Sequence, residues 1–359
     1  MMRATGKTPE WLEDCLERIA RVSVAVFGDF CLDAYWLIDP DEAEVSVETG
    51  LPVHRVREQR YGLGGAGNVV ANLVALGVRE VQPVGLVGKD LFGRQMLELF
   101  ERLGVGAAGM LACQDDWQTM VYAKPHLGSR EQNRLDFGAF NAMAPASVEA
   151  LAEQLDRAAE ACDVVILNQQ VPAGLSTPEM IARVNSVIAR HPGGAFLADS
   201  RHRAELYEGA VLKLNAHEAA RICGEHRPPD EPVPLDAARH FAVQLRRQTG
   251  LPVFVTLGAE GILVARPEGV HHAPGIEVAG LTDAVGAGDT VTAALAAALG
   301  AGGDPMSAAS LANIAASVTV RKLRVTGTAT PEEVRRAAAG PAGRPQAPPD
   351  FAGNPHSSR

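Results

Sequence analysis

Cysteine is scarce in this chain and poorly placed for pairing. The five cysteines, Cys15, Cys31, Cys113, Cys162 and Cys223, are odd in number, scattered and never spaced Cys-x-x-Cys. That excludes a disulfide frame and a thiolate zinc site, and fits free thiols in a reducing cytoplasm. No apolar run reaches membrane-spanning length, and Lys7, Glu10, Glu13 and Asp14 break up the N-terminus where a signal peptide would be continuous. Dense Lys/Arg tracts are missing, and with a formal charge of −10 the chain offers nucleic acid no basic face. None of the ten histidines stands in a His-Glu-x-x-His arrangement, so structural roles are expected for them. No internal repeat is present.

What the chain does have is apolar content, 47% over 359 residues, enough for one large α/β domain or two smaller ones. Helical spacing marks 11–20, 92–103 and 150–161, and Asp304-Pro305 opens a last core helix to about 321. The almost unbroken apolar run at 22–27 suits a central parallel strand covered on both faces, and further strands are expected at 81–88, 163–167, 196–198 and 253–256. A hairpin is expected from 262–265 and 270–272. The alternation at 45–47 and 53–56 predicts a small sheet projecting from the main body, within 34–61 and completed by 105–140. From 339 to 359, alanine, glycine and proline predict a disordered tail, leaving one folded unit over 1–338.

The stretch 281–300, LTDAVGAGDTVTAALAAALG, carries the chemistry. Gly286 and Gly288 allow a sharp turn and close approach of backbone N–H groups to an anion. The helix that follows, expected over 290–299 with Gly300 as its C-cap, directs its positive dipole end to the same place. A carboxylate there, Asp289, repels a phosphate unless it has work to do. General base in phosphoryl transfer is the work that fits; an ordinary helix N-cap is the plainer alternative.

Gly62, Gly64 and Gly67 satisfy Gly-x-Gly-x-x-Gly, but the polar HRVREQR precedes them and no strand-end acid follows about 20 residues on, which argues against a dinucleotide site. Gly64-Gly65 would instead let the backbone approach a polar ligand that Asn68 hydrogen-bonds. Gly85-x-x-Gly88-Lys89-Asp90 is too short for a P-loop and lacks its Ser/Thr.

Asp283-Ala-Val-Gly-Ala-Gly-Asp289, together with Gly-Gly-Ala-Gly-Asn68 some 220 residues earlier, resembles the two signatures of the ribokinase-like (PfkB-type) sugar kinases. Gly28-Asp29…Asp33…Tyr35-Trp36, Ser129-Arg130-Glu131-Gln132, Arg134-Leu135-Asp136-Phe137 and Gly327-Thr-Ala-Thr-Pro-Glu-Glu333 are similar to segments of the heptose 7-phosphate kinases, including the kinase half of bifunctional ADP-heptose synthases. The resemblance runs over 22–333. It implies a three-layer α/β/α sandwich with a mostly parallel central sheet and a small β lid. It also implies ATP and Mg2+ as cofactors, and a sugar or sugar phosphate as small-molecule substrate. Site residues follow from it: Asp33, Gly64, Gly65 and Asn68 for the sugar, and Asp289 as base with Gly286, Ala287 and Gly288 as anion hole. Asn215, Thr256, Gly258, Gly261 and Asn313 would serve the nucleotide. Glu218, with Asn215, would hold magnesium through water, and Asp283 would help place a monovalent cation such as K+. Arg130 and Arg134 suit an anionic substrate end by bidentate contacts, or else are solvated surface arginines. A homodimer through the lid is known among such relatives, although no patch in this sequence marks one. No counterpart of the nucleotidyltransferase half of the bifunctional enzymes is expected in 1–359.

One departure bears on substrate. Where the heptose kinases would show Ser-Asp-Tyr and Lys-Gly, this chain has Asn168-Gln169-Gln170-Val171-Pro172, which removes an acid and a base. Three readings stay open: a sugar-phosphate kinase, a kinase for an unphosphorylated sugar or nucleoside, and a non-catalytic sugar-binding regulator.

Overall fold

The computed structural model describes residues 8–340 except 40–43, 114–116, 129, 173, 229 and 324–325. Ser129 and nearly all of the expected tail lie outside the described residues. Helix α1 (Glu10–Ile19) buries Leu12, Cys15, Leu16 and Ile19 on one face and leads to β1 (Ser23–Gly28), buried at every position. The chain then leaves the main body through β2 (Phe30–Ile38), β3 (Glu44–Val45), β4 (Pro52–Val53) and β5 (Val56–Gly65), and returns as α2 (Ala66–Leu76) and β6 (Glu80–Gly88). Helix α3 (Leu91–Arg102), capped by the Asp90 carboxylate, precedes β7 (Met110–Cys113). A second excursion contains β8 (Met120–Leu127), β9 (Arg130–Glu131) and β10 (Leu135–Phe137). Next come α4 (Pro145–Ala161), β11 (Val164–Gln169), α5 (Pro178–Arg190), β12 (Ala195–Ser200), β13 (Val211–Asn215), α6 (Ala216–Ile222), α7 (Leu235–Thr249) and β14 (Val253–Thr256). The hairpin β15 (Gly261–Arg266) and β16 (Gly269–Pro274) is followed by α8 (Ala287–Gly300), α9 (Pro305–Thr319) and α10 (Pro331–Ala338).

Among the described residues the main sheet has nine strands in the order β16-β15-β14-β13-β12-β11-β1-β6-β7. Every pairing from β14 to β7 is parallel, and only the β14–β15 and β15–β16 pairings are antiparallel. Helices cover both faces, which is why the inner strands are apolar without alternation. Val24, Val26, Val164 and Ile166 pack on the side of α8 and α9. Ala25, Phe27, Val165 and Leu167 pack on the side of α4, α5 and α7. The three-layer expectation therefore holds. β1 lies between β6 and β11, so the chain departs to opposite sides from it and opens a crevice at the carboxyl ends of the strands, where open α/β sheets place ligands.

The lid is a separate sheet in the order β10-β8-β2-β5, with β9 on β8, and β2 pairs in parallel with β8. It differs from the expected lid in two ways. Met110–Cys113 is the outer strand of the main sheet, because α3 brings the chain back beside β6. The segments around 45 and 53 form only a two-stranded pair apart from the lid. The polar HRVREQR, in contrast, lies largely within β5, held by its register with β2 although exposed; a strand wet on both faces leaves no alternation to read. Helix α8 also starts earlier and ends later than expected. Gly300 is inside the helix, where a Cβ would come within 2.7 Å of Val22 and Val164 side chains.

Candidate active site

Helix α8 begins without a side-chain cap. Gly286 is its N-cap at φ +79°, a left-handed conformation that disfavours other residues, and a Cβ there would meet the Asn68 amide at 2.9 Å. Asp289 is the third helical residue, so the N-cap alternative does not apply to it. The Ala287 N–H closes onto the Ala284 carbonyl, while the N–H groups of Gly288 and Asp289 have no partner among the described residues. Two free donors at the positive end of a fourteen-residue helix can receive an anion. Asp283 holds the preceding turn: its N–H donates to the Val320 carbonyl and its Oδ1 accepts from Val285 N at 3.0 Å.

The opposite wall comes from β5 and α2. Strand runs into helix with no loop between them, through Gly65 at φ +55°, where a Cβ would sit 2.4 Å from the Asp29 carbonyl oxygen. This places Asn68 in the first turn of α2, and its Nδ2 donates to Asp289 Oδ2 at 2.6 Å. One turn on, Asn72 Oδ1 accepts from Thr290 Oγ1 at 2.9 Å, a second clamp between the two helices. Burial raises the Asp289 carboxyl to about 6, and Asp199 adds to this; the Asn68 hydrogen bond, Lys213 and Arg201 pull the other way. A carboxylate poised near neutrality is the form a general base needs.

Between these walls and the lid is a cavity of about 290 Å³ bordered by Asp33, Gly64, Gly65, Asn68, Gly286 and Asp289. Asp33 Oδ1 accepts from Lys124 Nζ at 2.6 Å, and the same ammonium lies 5.0 Å from the Tyr35 ring centroid. A second cavity of about 410 Å³ adjoins it, and the two share Tyr122, Arg134, Gln170 and Arg201 as common wall. Arg134 stacks 4.4 Å over Tyr122 and makes a two-pronged pair with Asp136 at 2.6 and 2.8 Å. Arg201 has no carboxylate partner among the described residues. Arg130 pairs with Leu127 across β8–β9, exposed, and borders neither cavity.

The segment that departs from the heptose-kinase pattern is held from beneath. Asp29, buried completely, accepts three backbone N–H bonds: Oδ2 from Gln170 and Val171, both at 2.9 Å, and Oδ1 from Leu175 at 2.7 Å. Gln169 is likewise buried. Its Oε1 accepts from Ser200 Oγ at 2.9 Å and His202 N at 3.0 Å, and its carbonyl accepts from Arg201 N. Gln169 thus ties the end of β11 to the turn that presents Arg201.

On the other side of α8, the ends of β13 and β14 pair Asn215 with Thr256. Asn215 and Glu218 form a reciprocal capping box at 2.8 Å in each direction, which leaves the Asn215 amide NH2 and one Glu218 oxygen for other partners. Gly258 and Gly261 shape the turn after β14, and Asn313 on α9 donates to the carbonyls of Ala273 and Pro274 at 2.9 and 3.1 Å. No three His, Cys, Asp or Glu side chains converge among the described residues. A magnesium ion at this place would be held chiefly by nucleotide phosphates and water, with Glu218 at its margin.

Residues 23–333 match the pfkB family carbohydrate kinase profile. The chain belongs to that family. The bifunctional protein HldE of Halorhodospira halophila is 36% identical over 325 residues, covering 89% of this chain and 64% of that protein. HldE of Mesorhizobium japonicum is 30% identical over 339 residues, 93% of this chain and 65% of its own length. The chain thus spans a little under two thirds of these relatives. The fold is shared with Arabidopsis thaliana ribokinase complexed with ribose and ATP, TM-score 0.65 at 19% identity, over 88% of this chain and 98% of that one. It is shared also with Escherichia coli phosphofructokinase-2 in complex with potassium, TM-score 0.70 at 17% identity, over 89% and 98%.

In this pfkB-family chain Asp33, Gly64, Gly65 and Asn68 thus border one cavity with Gly286 and Asp289 of the α8 turn. Contributors to the cavity wall that were not expected include Tyr122, Lys124 and Arg201. Tyr122 and Lys124 are two apart on β8, in register with Asp33 and Tyr35 of β2. The available signal was a lysine in the otherwise apolar MVYAKP, legible only once 120–127 is recognised as a strand. Arg201 stands directly after a strand end and could have been weighed by position alone.

Proposed function

We propose that the chain transfers the γ-phosphoryl group of magnesium-ATP to a hydroxyl of a sugar that already carries a phosphate, with Asp289 as general base. The observation that supports a phosphorylated acceptor is the wall shared by the two cavities, where Arg134 and Arg201 both stand. The sugar ring fits the inner cavity, against Asp33, Asn68 and the backbone at Gly64 and Gly65. Its phosphate extends toward the arginines, and Arg201 supplies the positive charge that the neutral 168–172 segment lacks. A heptose 7-phosphate is the acceptor favoured by the sequence resemblance.

Each step has a residue. Asp289, beside the Asn68 amide, takes the proton of the attacking hydroxyl. The free N–H groups of Gly288 and Asp289 stabilise charge on the transferring group. The lid excludes water, which competes as acceptor. Bound ATP-magnesium supplies the phosphoryl group and neutralises part of its charge. Asp283 stands where a monovalent cation would support the α8 turn.

The Arg134–Asp136 pair favours a second reading, a kinase for a neutral sugar or nucleoside, because Asp136 already satisfies that guanidinium. ADP release measured over a panel of sugars and sugar phosphates, heptose 7-phosphate included, separates the two. Turnover of a phosphorylated acceptor is expected. In Arg134→Ala/Arg201→Ala its kcat/KM falls by about 100-fold or more, at roughly 1.5–3 kcal/mol for each charge-assisted contact, mainly through KM. Turnover confined to neutral sugars, unaffected by the double substitution, overturns the phosphate reading.

We further propose that two copies pair through the lid, whose outer strand β5 leaves an edge open beside exposed Val53 and Val56. Sedimentation is expected to show a dimer, and Val56→Lys to shift it toward monomer.

A further inference from the structure

Lys213 lies outside every role assigned so far. It stands on β13, two residues before Asn215, and is 6% exposed. Its Nζ is 3.0 Å from Asp199 Oδ1 and 3.5 Å from the point a Cβ on Gly288 would occupy. The ammonium therefore faces the first turn of α8 across the space left by a missing side chain. Asp199 fixes it there: Oδ2 of the same carboxylate accepts a hydrogen bond from Thr292 Oγ1, one turn along α8. Burial works against the lysine's charge, but Asp199, Glu218 and Asp289 together outweigh it and raise the net pKa. The side chain is an ammonium at neutral pH, with one of its three protons directed to Asp199 and the others available.

A buried ion pair is a poor way to stabilise a fold, because desolvation cancels much of the attraction. This one is placed where the sugar side and the nucleotide side meet, between Asp289 and the Asn215–Glu218 box. We propose that Lys213 is a catalytic residue, its ammonium donating hydrogen bonds to the transferring phosphoryl group beside the N–H groups of Gly288 and Asp289. The bond from the acceptor oxygen to phosphorus forms as the bond to the leaving ADP oxygen breaks. The acceptor's proton goes to Asp289, and Lys213 keeps its protons throughout. Asp199 is a positioning residue that acts through Lys213. The inference rests on the phosphotransfer reading of the α8 turn, but not on which acceptor is used.

The test compares wild type, Lys213→Arg and the double variant Lys213→Met/Asp199→Asn, in which both charges leave together so that no buried carboxylate is stranded. Calorimetry with magnesium and either ADP or a non-hydrolysable ATP analogue reads the γ-phosphoryl contact directly. In the double variant, ADP affinity is expected to stay within twofold of wild type while analogue affinity falls about tenfold. With an acceptor that wild type phosphorylates, kcat falls about 100-fold at little-changed acceptor KM, and Lys213→Arg recovers part of it. Equal weakening for both nucleotides, or unchanged kcat with a lower melting temperature, overturns the proposal and leaves a structural pair. If wild type phosphorylates no acceptor, the acceptor reading fails while the nucleotide comparison still decides the role of Lys213.

Discussion

Asp289→Asn is expected to lower turnover and raise stability at once. Loss of a general base costs about 10²–10⁴ in rate, and here the effect falls on kcat, because the amide keeps the size of the carboxylate and can still meet Asn68. Stability moves the other way. Asp289 has a folded pKa raised to about 6 from 3.8, chiefly by burial. The folded state therefore holds this proton more tightly than the unfolded state does. As pH rises from the unfolded value through the folded one, folding loses free energy, and above about pH 6 the whole cost is present. At 1.36 kcal/mol per unit this amounts to roughly 3 kcal/mol at most. An asparagine cannot ionise and escapes the cost. Melting of the variant against wild type should show an advantage of a few degrees at pH 8 that vanishes near pH 4. The wild-type rate should have an acidic limb with a midpoint near 6. Full turnover in Asp289→Asn sinks the base assignment; a variant that is less stable than wild type at pH 8 sinks the linkage argument.

Asp29→Ala is expected to unfold the edge of the site. Three N–H groups, of Gln170, Val171 and Leu175, all end on this one carboxylate, the last two of them buried. Truncation leaves each buried donor unpaired at about 1–3 kcal/mol, so a total loss of at least about 2 kcal/mol is expected, read as a lower denaturation midpoint at unchanged slope. Burial raises the Asp29 carboxyl against the pull of those donors, the mark of a group kept dry by design of the loop above it. Asp29→Asn retains one acceptor oxygen and should fall between the two. The loop carries Gln170 to the cavity, so acceptor KM should rise in Asp29→Asn even where the protein stays folded. A loss below about 1 kcal/mol for Asp29→Ala would show that the loop finds its bonds elsewhere.

Gly28-Asp29 was legible as a strand end near a ligand, but not as the anchor of a segment some 140 residues away. The same limit applies across the site. The α8 turn was readable because its requirements are local: Gly286 for a positive φ, good helix formers after it, a carboxylate in the first turn. Its precise bounds were not, since Gly300 looks like a stop signal and is in fact a point of close packing against Val22 and Val164. The lid was recognised from short half-exposed strands within 34–61, yet β5 was not read as one of them, because its first half is exposed on both faces and carries no period-two apolar signal.

By itself the sequence pointed to central strands covered on both faces, from the apolar run at 22–27, to the three-layer class through its resemblance to the ribokinase-like kinases, and to one turn as the candidate for chemistry, from glycines and a carboxylate adjacent along the chain. Tertiary structure decided which distant groups meet that turn. Asn68 reaches Asp289 across 221 positions, Lys213 is brought to Gly288, and Arg201 shares a wall with Arg134 while Arg130 is turned away. Backbone conformation and capping are set by neighbours in sequence, so they can be read in order. Convergence at strand ends is set by strand order and register, and a shift of β13 by one residue would put Lys213 on the opposite face of its sheet.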